Sequence, residues 1–270
     1  MAVTHALEET RHAFDGVASA YDRSNTGCRI LCQMRARTMA AVTRHVPTSS
    51  NLLDLGCGPG ADAEWMARRG HTVTAVDWSP AMVHQARLRV RRAGLRSRVD
   101  VRHVGIHELA AMSPATFDGA WSNFGPLNCV PSLPAAASLI AQRLRPGGVL
   151  VASVIGRVCP WEIVIHARRR DWTRVGARFS RDMVPVPLDG RTVWTRYYSP
   201  GAFARVFDAA GFTRIDLRAL GLCVPPPYAQ GFADRHPALV SGLQAVDDCI
   251  GGWPGFRGMG DHFLIVLRKR

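Results

Sequence analysis

Lysine is almost absent from this chain of 270 residues: Lys269 stands alone, so 33 of the 34 basic residues are arginine, against 21 acidic ones. The formal charge of +13 sets up a field that can attract nucleic acid, an anionic membrane or an acidic small molecule, and it carries no information on fold. Aromatic residues are sparse at 8%. The dense arginine runs, Arg87, Arg89, Arg91, Arg92, Arg96 and Arg98 and then Arg168-Arg169-Arg170, do not interleave with them. Both runs read as solvated helix faces rather than as a platform for single-stranded nucleic acid. No apolar run approaches the ~20 residues needed to cross a bilayer. Residues 1–9 lack the basic-then-apolar pattern of a secretory signal, so a cytoplasmic location without membrane association is expected. The seven cysteines are odd in number and scattered, which suits reduced thiols better than a disulfide framework. Internal repeats and low-complexity linkers are missing too, and a 47% apolar content is enough for one α/β domain with a full core and insertions.

What the chain does have is Leu52-Leu53-Asp54-Leu55-Gly56-Cys57-Gly58-Pro59-Gly60, an apolar run breaking into three alternating glycines. Such a run reads as a buried parallel strand feeding a tight turn with bare backbone for a ligand. Asp77 ends a second apolar run at 72–76, where a carboxylate can accept both hydroxyls of a ribose, so an adenosine-bearing cofactor is expected. Gly56-x-Gly58-x-x-Ala61 also satisfies the dinucleotide fingerprint, which leaves a nicotinamide dehydrogenase open at this point. Around the turn the pattern alternates. A leading helical region at 5–46 precedes strands at 51–55, 72–76, 99–104, 117–122 and 148–155. Helices fall between them, including 79–93, opened by Ser79-Pro80, and 133–145. This alternation predicts a parallel sheet with helices on both faces. Beyond it come a helix at 199–210, a strand at 212–219 and a last strand at 262–268, separated by two long intervals without clear periodicity. Intervals of that length in a compact domain tend to be functional loops.

The order and spacing of Asp54-x-Gly56-x-Gly58-x-Gly60, Asp77-Trp78-Ser79-Pro80-Ala81-Met82, Phe117-Asp118-Gly119-Ala120-Trp121-Ser122 and Leu144-Arg145-Pro146-Gly147-Gly148 closely resemble the class I S-adenosylmethionine-dependent methyltransferases, of the small-molecule type. The resemblance implies an α/β fold: a doubly wound, seven-stranded Rossmann-like sheet, mostly parallel, with its last strand antiparallel between its neighbours. It implies a helical N-terminal lid at 1–46 and a methyltransferase domain at 47–270, with substrate-cap insertions at about 156–198 and 222–259. The implied cofactor is S-adenosylmethionine, released as S-adenosylhomocysteine. Gly56, Cys57, Gly58 and Gly60 would let backbone approach its amino-acid part, Asp54 would hold its ammonium group and Asp77 its ribose. Trp78 and Met82 would pack on ribose and adenine. Where many relatives carry Gly-Asp beside the adenine, this chain has Gly105-Ile106-His107, so Ile106 would cover the ring without that acid. Ser122, Asn123 and Phe124 would line the exit of the methyl group. Phe14 to Asp22 looks like the segment that folds over the cofactor, placing Tyr21 near the sulfonium as a catalytic contact, and Arg35 or Arg37 could meet the cofactor carboxylate.

For the acceptor, the Asp/Asn-Pro-Pro-aromatic motif of amino-group methyltransferases acting on nucleic acid is missing after Ser122. The Pro225-Pro226-Pro227-Tyr228 run lacks its polar first residue, which weakens a nucleic-acid reading. The acids and asparagine that bind magnesium in catechol-type relatives are also missing, and His103 and His107 have no third ligand, so no metal is expected. Transfer needs geometry above all, since the sulfonium already activates the methyl group. Glu162 is the leading candidate for a general base, ahead of His166, Tyr197, Tyr198 and Tyr228. Asn128, Trp161, Glu162, Arg196, Tyr197 and Tyr228 are the expected acceptor contacts. The function expected is in-line methyl transfer to a small organic acceptor in specialised biosynthesis. A methyltransferase of RNA or other nucleic acid and a non-catalytic cofactor-binding partner protein are the alternatives.

Overall fold

The computed structural model describes residues 2–113 and 115–270. Two helices lead, α1 (Ala2–Gly27) and α2 (Arg29–His45). Five strands then alternate with helices: β1 (Asn51–Leu55), α3 (Ala61–Ala67), β2 (Thr72–Asp77), α4 (Pro80–Arg92), β3 (Val99–His103), β4 (Phe117–Ser122), α5 (Leu133–Arg143) and β5 (Leu144–Ile155). The first long interval folds as α6 (Pro160–Arg168), α7 (Trp172–Ala177) and a hairpin, β6 (Val184–Leu188) with β7 (Arg191–Thr195). α8 (Pro200–Ala209) and β8 (Phe212–Leu220) follow, then α9 (Gln230–Arg235), α10 (Pro237–Ile250) and the closing strand β9 (His262–Lys269).

The seven-stranded sheet has the order β3-β2-β1-β4-β5-β9-β8. β1 to β5 pair in parallel, and β9 runs antiparallel between β5 and β8, as expected. β1 is central and buried at four of its five positions, the continuous apolar reading of a strand covered on both faces. Its alternate residues feed two cores. Leu52 packs with Val42, Met66, Val83 and Val90 from α2, α3 and α4. Leu53 and Leu55 pack on the opposite face with Leu133 and Ile140 of α5 and Phe203 and Phe207 of α8.

The local signals place the helix starts. Ser79 Oγ accepts the Met82 amide at 3.0 Å and Pro80 opens α4, while Ser132 and Ser199 cap α5 and α8 in the same way. The helix expected to run to residue 145 stops at Arg143. The chain enters β5 at Leu144 and loops out at Pro146-Gly147-Gly148, a register shift against β4 between Phe117 and Gly119. In the second interval, helices α9 and α10 stand where no clear periodicity was legible. Asp247 of α10, buried, accepts the amides of Leu222 at 3.0 Å and Cys223 at 2.6 Å, and Asp248 pairs with Arg37 of α2 at 2.6 Å. This second insertion therefore docks against α2, away from the glycine turn.

None of the seven cysteines is joined in a disulfide. Cys159 is fully buried and burial pushes its thiol up to about 12, as it does for Cys129, whereas Cys32 and Cys249 are exposed. A thiol raised that far holds about a thousandfold less of the reactive thiolate at neutral pH than an ordinary one. Brief alkylation with iodoacetamide at neutral pH is therefore expected to label Cys32 and Cys249 and spare Cys129 and Cys159, as read by peptide mass mapping.

Candidate active site

The site grows from the carboxyl ends of β1, β2 and β4. Gly56 and Gly58 take left-handed φ angles of +78° and +51°. A Cβ on Gly56 would come within 2.5 Å of the Pro126 ring, whereas one on Gly58 would meet nothing within 4 Å. Gly56 thus allows the turn to pack beneath the loop after β4, and Gly58 leaves its bare face to a ligand. Asp77, at the tip of β2, spans the turn: Oδ2 accepts the Gly58 amide at 2.8 Å and Oδ1 the Ser79 amide at 2.9 Å.

These residues border a cavity of about 290 Å³. Of the residues expected at the cofactor, it gathers Tyr21, Arg35, Gly56, Cys57, Gly58, Asp77, Trp78, Met82, Ile106, His107, Asn123 and Phe124. Asp54, Gly60, Gly105 and Ser122 are not on its wall. Asp54 is buried on β1 behind the turn, Gly60 caps α3, Gly105 donates its amide to Glu108, and Ser122 is fully buried at the end of β4. Asp62, absent from the expected contacts, borders the cavity where Asp54 does not. It sits in the first turn of α3, 3.1 Å from Arg35 Nε as an ion pair and 3.0 Å from Asn123 Nδ2. Its signal was an acid two residues after Gly60, on the first turn of the helix that leaves the glycine turn. Arg37 is drawn away to Asp248.

The polar end of the cavity is short of positive charge. Burial pushes the carboxyls of Asp54, Asp62 and Asp77 up from their ordinary values. Asp54 rises furthest, because Asp62 and Asp77 add their charge to its desolvation and Arg35 only partly offsets them. On the cavity wall, Asn123 Oδ1 is buried without a hydrogen bond, and Asp62 Oδ1 has the Arg35 ion pair but no hydrogen bond. A ligand with a cationic, hydrogen-donating end relieves both deficits.

The opposite end is apolar. α1 contributes Leu7, Thr10 and Phe14, the loop after β4 contributes Cys129 and Val130, and the hairpin contributes Val186, Leu188, Val193 and Thr195. Two anchors hold this wall together. Trp194 Nε1 donates to Glu9 at 2.6 Å and the Trp194 amide to Thr10 Oγ1 at 3.0 Å. Asp15 Oδ1 accepts from Ser79 Oγ at 2.6 Å, and Asp22 pairs with Arg89, whose Nε reaches the Pro59 carbonyl at 3.0 Å.

Of the expected acceptor contacts, none of Asn128, Trp161, Glu162, Arg196, Tyr197 or Tyr228 borders this cavity. Asn128 is fully buried and ties the Ile155 and Arg196 backbone together. Trp161 donates to the Cys223 carbonyl at 2.7 Å, and Tyr228 is 60% exposed. Tyr197 lies under the Arg178 guanidinium at 5.2 Å, where burial raises its hydroxyl to about 12. Arg196, just after β7, donates its amide to the Asn128 carbonyl at 2.8 Å. Glu162, expected as the general base, has both carboxylate oxygens held by Arg178, at 2.5 and 2.7 Å. Arg178 spends its remaining donors on the Gly156 and Asp261 carbonyls and on Asp261 Oδ1. Among the described residues no group of three or more His, Cys, Asp or Glu side chains could hold a metal ion, and no helix is long and apolar enough to cross a membrane.

A sheet of this order, with a glycine turn facing an acid at the tip of the next strand, defines a Rossmann-like protein with a nucleoside-cofactor site. Comparison with known proteins narrows it. The family described as a methyltransferase domain matches residues 52–148. A ubiquinone biosynthesis O-methyltransferase of Pasteurella multocida is 30% identical over 179 residues, covering 63% of this chain and 68% of that protein. One from Xylella fastidiosa (strain 9a5c) is 39% identical over 117 residues, 43% of this chain and 46% of that protein. The Xylella fastidiosa protein is thus matched over slightly less than half its length. The Burkholderia thailandensis 1,6-didemethyltoxoflavin-N1-methyltransferase, solved with 1,6-didemethyltoxoflavin and S-adenosylhomocysteine, shares the fold with a TM-score of 0.58 at 20% identity, over 96% of this chain and 87% of that one. The chain belongs to the class I S-adenosylmethionine-dependent methyltransferase family. S-Adenosylmethionine, whose ammonium and sulfonium bring positive charge, fits a cavity end where Asn123 Oδ1 lacks a hydrogen bond and burial raises the carboxyls of Asp62 and Asp77.

Proposed function

We propose that the protein transfers a methyl group from S-adenosylmethionine to an oxygen of a small, largely apolar aromatic acceptor, in the cytoplasm and in a biosynthetic pathway. The observation that carries this reading is the two-ended cavity, with a carboxylate-lined end on the glycine turn and an apolar end walled by α1 and the β6–β7 hairpin. When bound, S-adenosylmethionine supplies an electrophilic methyl group whose departure leaves a neutral thioether. In this reading Asp77 accepts from the ribose hydroxyls, Asp62 and Asn123 accept from the ammonium group, and Arg35 faces the cofactor carboxylate. Trp78, Met82 and Ile106 give apolar cover to the nucleoside. Leu7, Phe14, Val130, Val186, Leu188 and Val193 keep water from the acceptor and favour a hydrocarbon surface. Holding donor and acceptor in line can supply much of the ~7–11 kcal/mol available from proximity. The relatives' designation as O-methyltransferases supports oxygen as the atom methylated.

The test is a screen with S-adenosylmethionine labelled in its methyl group against hydroxylated aromatics, aliphatic amines and transfer RNA. Label is expected in the hydroxylated aromatics. Transfer to RNA, or to amines alone, would replace this reading, and S-adenosylhomocysteine binding without transfer to any acceptor would favour a non-catalytic partner.

A further inference from the structure

The acceptor end of the cavity offers poor means of taking a proton. Cys129 is pushed up to about 12, and Arg11 is a cation engaged with Glu8 and Asp15. A hydroxyl acceptor must nonetheless lose one, and just behind the wall lies a buried imidazole with an unused nitrogen. His262 is the first residue of β9, only 7% exposed, and pairs in register with Ile155, which borders the cavity. Its Nδ1 lies 3.0 Å from Asp261 Oδ2, and its Nε2 makes no hydrogen bond among the described residues. Facing a carboxylate, Nδ1 carries the hydrogen of the neutral ring, which leaves the Nε2 lone pair free. Asp261 is itself fixed: Arg178 donates to its Oδ1 at 2.6 Å and, through Nη1, to its carbonyl at 3.0 Å, while Glu162 holds the other edge of the guanidinium. Burial alone would raise the Asp261 carboxyl, but His262 and Arg178 outweigh it and hold it well below the usual carboxylate range.

Phe124 and Ile155 both border the cavity next to this imidazole. Phe124 stands edge-on to the His262 ring, with centroids 6.5 Å apart at 87°, and the Arg35 guanidinium lies over the Phe124 ring, 5.3 Å from its centroid. The Phe124 backbone sits at φ +62°, a left-handed conformation that is strained for a bulky residue and gathers at functional sites. We infer that His262, oriented by Asp261, is the proton acceptor for the acceptor's hydroxyl group, with Phe124 as the side chain that moves aside to expose it. The inference rests on the reading of oxygen as the methylated atom. In the step, the hydroxyl proton passes to Nε2 and an oxygen lone pair forms the bond to the methyl carbon. The electrons of the broken carbon–sulfur bond return to sulfur, and the imidazolium lies between Asp261 and the product. Asp261 and Arg178 are positioning residues, and Glu162 enters the chemistry only through them.

Two measurements on the full chain test this. Carbethoxylation of His262 by diethyl pyrocarbonate, mapped by mass spectrometry, is expected to be slow in the wild type and at least about tenfold faster in Phe124→Ala, because opening the wall exposes Nε2. Methylation of catechol and of 4-nitrophenol, which is already ionised in mildly alkaline buffer, is then compared for wild type and His262→Gln. Loss of a general base costs ~10²–10⁴-fold on the acceptor that must give up its proton, so the catechol-to-nitrophenolate rate ratio should fall by about 10² or more. An equal loss on both phenols would show a merely structural histidine and overturn the inference. So would labelling as slow in Phe124→Ala as in the wild type. If the wild type methylates neither phenol while S-adenosylhomocysteine binds, the reading of an oxygen acceptor falls and the inference with it, whatever the labelling shows.

Discussion

Asp77→Ala is expected to weaken S-adenosylhomocysteine binding about a hundredfold in a calorimetric titration. A hydrogen bond to a charged group is worth about 1.5–3 kcal/mol, so losing two ribose contacts costs about 3 kcal/mol, or two factors of ten. The true loss should lie at or above that, because Asp77 also braces the empty turn through the Gly58 amide at 2.8 Å and the Ser79 amide at 2.9 Å. Asp77→Asn should rescue little. An amide presents one NH2 where the carboxylate presents an oxygen, setting a donor against one of those two N–H groups. Unchanged affinity in Asp77→Ala would mean that the ribose is held elsewhere and would remove the central assignment of the site.

The second large effect is on stability. Arg178→Ala should cost about 3–5 kcal/mol, because it leaves the Glu162 and Asp261 carboxylates without the counter-ion they were folded around. At about 2–4 °C per kcal/mol for a protein of roughly this size, the melting temperature should drop by about 10 °C, measured by circular dichroism. Arg178→Lys should recover only a small part, since one ammonium cannot reproduce a fork that serves two carboxylates and two carbonyls at once. A drop of less than about 2 °C would show that water replaces the guanidinium at little cost, against the burial of the cluster. The pair at the centre of this cluster also gives acid sensitivity a sign. The Asp261 carboxyl is depressed in the folded chain, so its contribution is present above the unfolded carboxylate range and is lost as the pH falls through its folded value.

Much of the fold was legible because its signals are local. A leucine-rich strand broken by glycine, a Ser-Pro helix start and the repeat of both along the chain need no distant partner to be understood. The same holds for the turn and the acid that faces it, separated by one strand and one helix. The β6–β7 hairpin was legible in principle but not read. Asp189 and Gly190, at φ +48° and +74°, form the two-residue turn that an Asp-Gly pair between short apolar runs announces. The acceptor wall was misplaced for a different reason. Trp161, Glu162, Tyr197 and Tyr228 are polar or aromatic residues in the expected insertions. What distinguishes them is a contact to Arg178, to Cys223 or to solvent, and no spacing reports such a contact.

By itself, then, the amino-acid order determined the doubly wound sheet and the site's cofactor end, because strand, turn and acid follow one another within a single β-α-β unit and are built by short-range sterics and hydrogen bonds. Tertiary structure alone decided which insertion faces the cavity, that Asp62 rather than Asp54 reaches it, and that Glu162 is bound to Arg178. Each of those outcomes turns on packing and charge pairing between segments brought together across the sheet, such as Arg178 with Asp261 of the last loop, and such pairings are settled by the free energy of the whole fold.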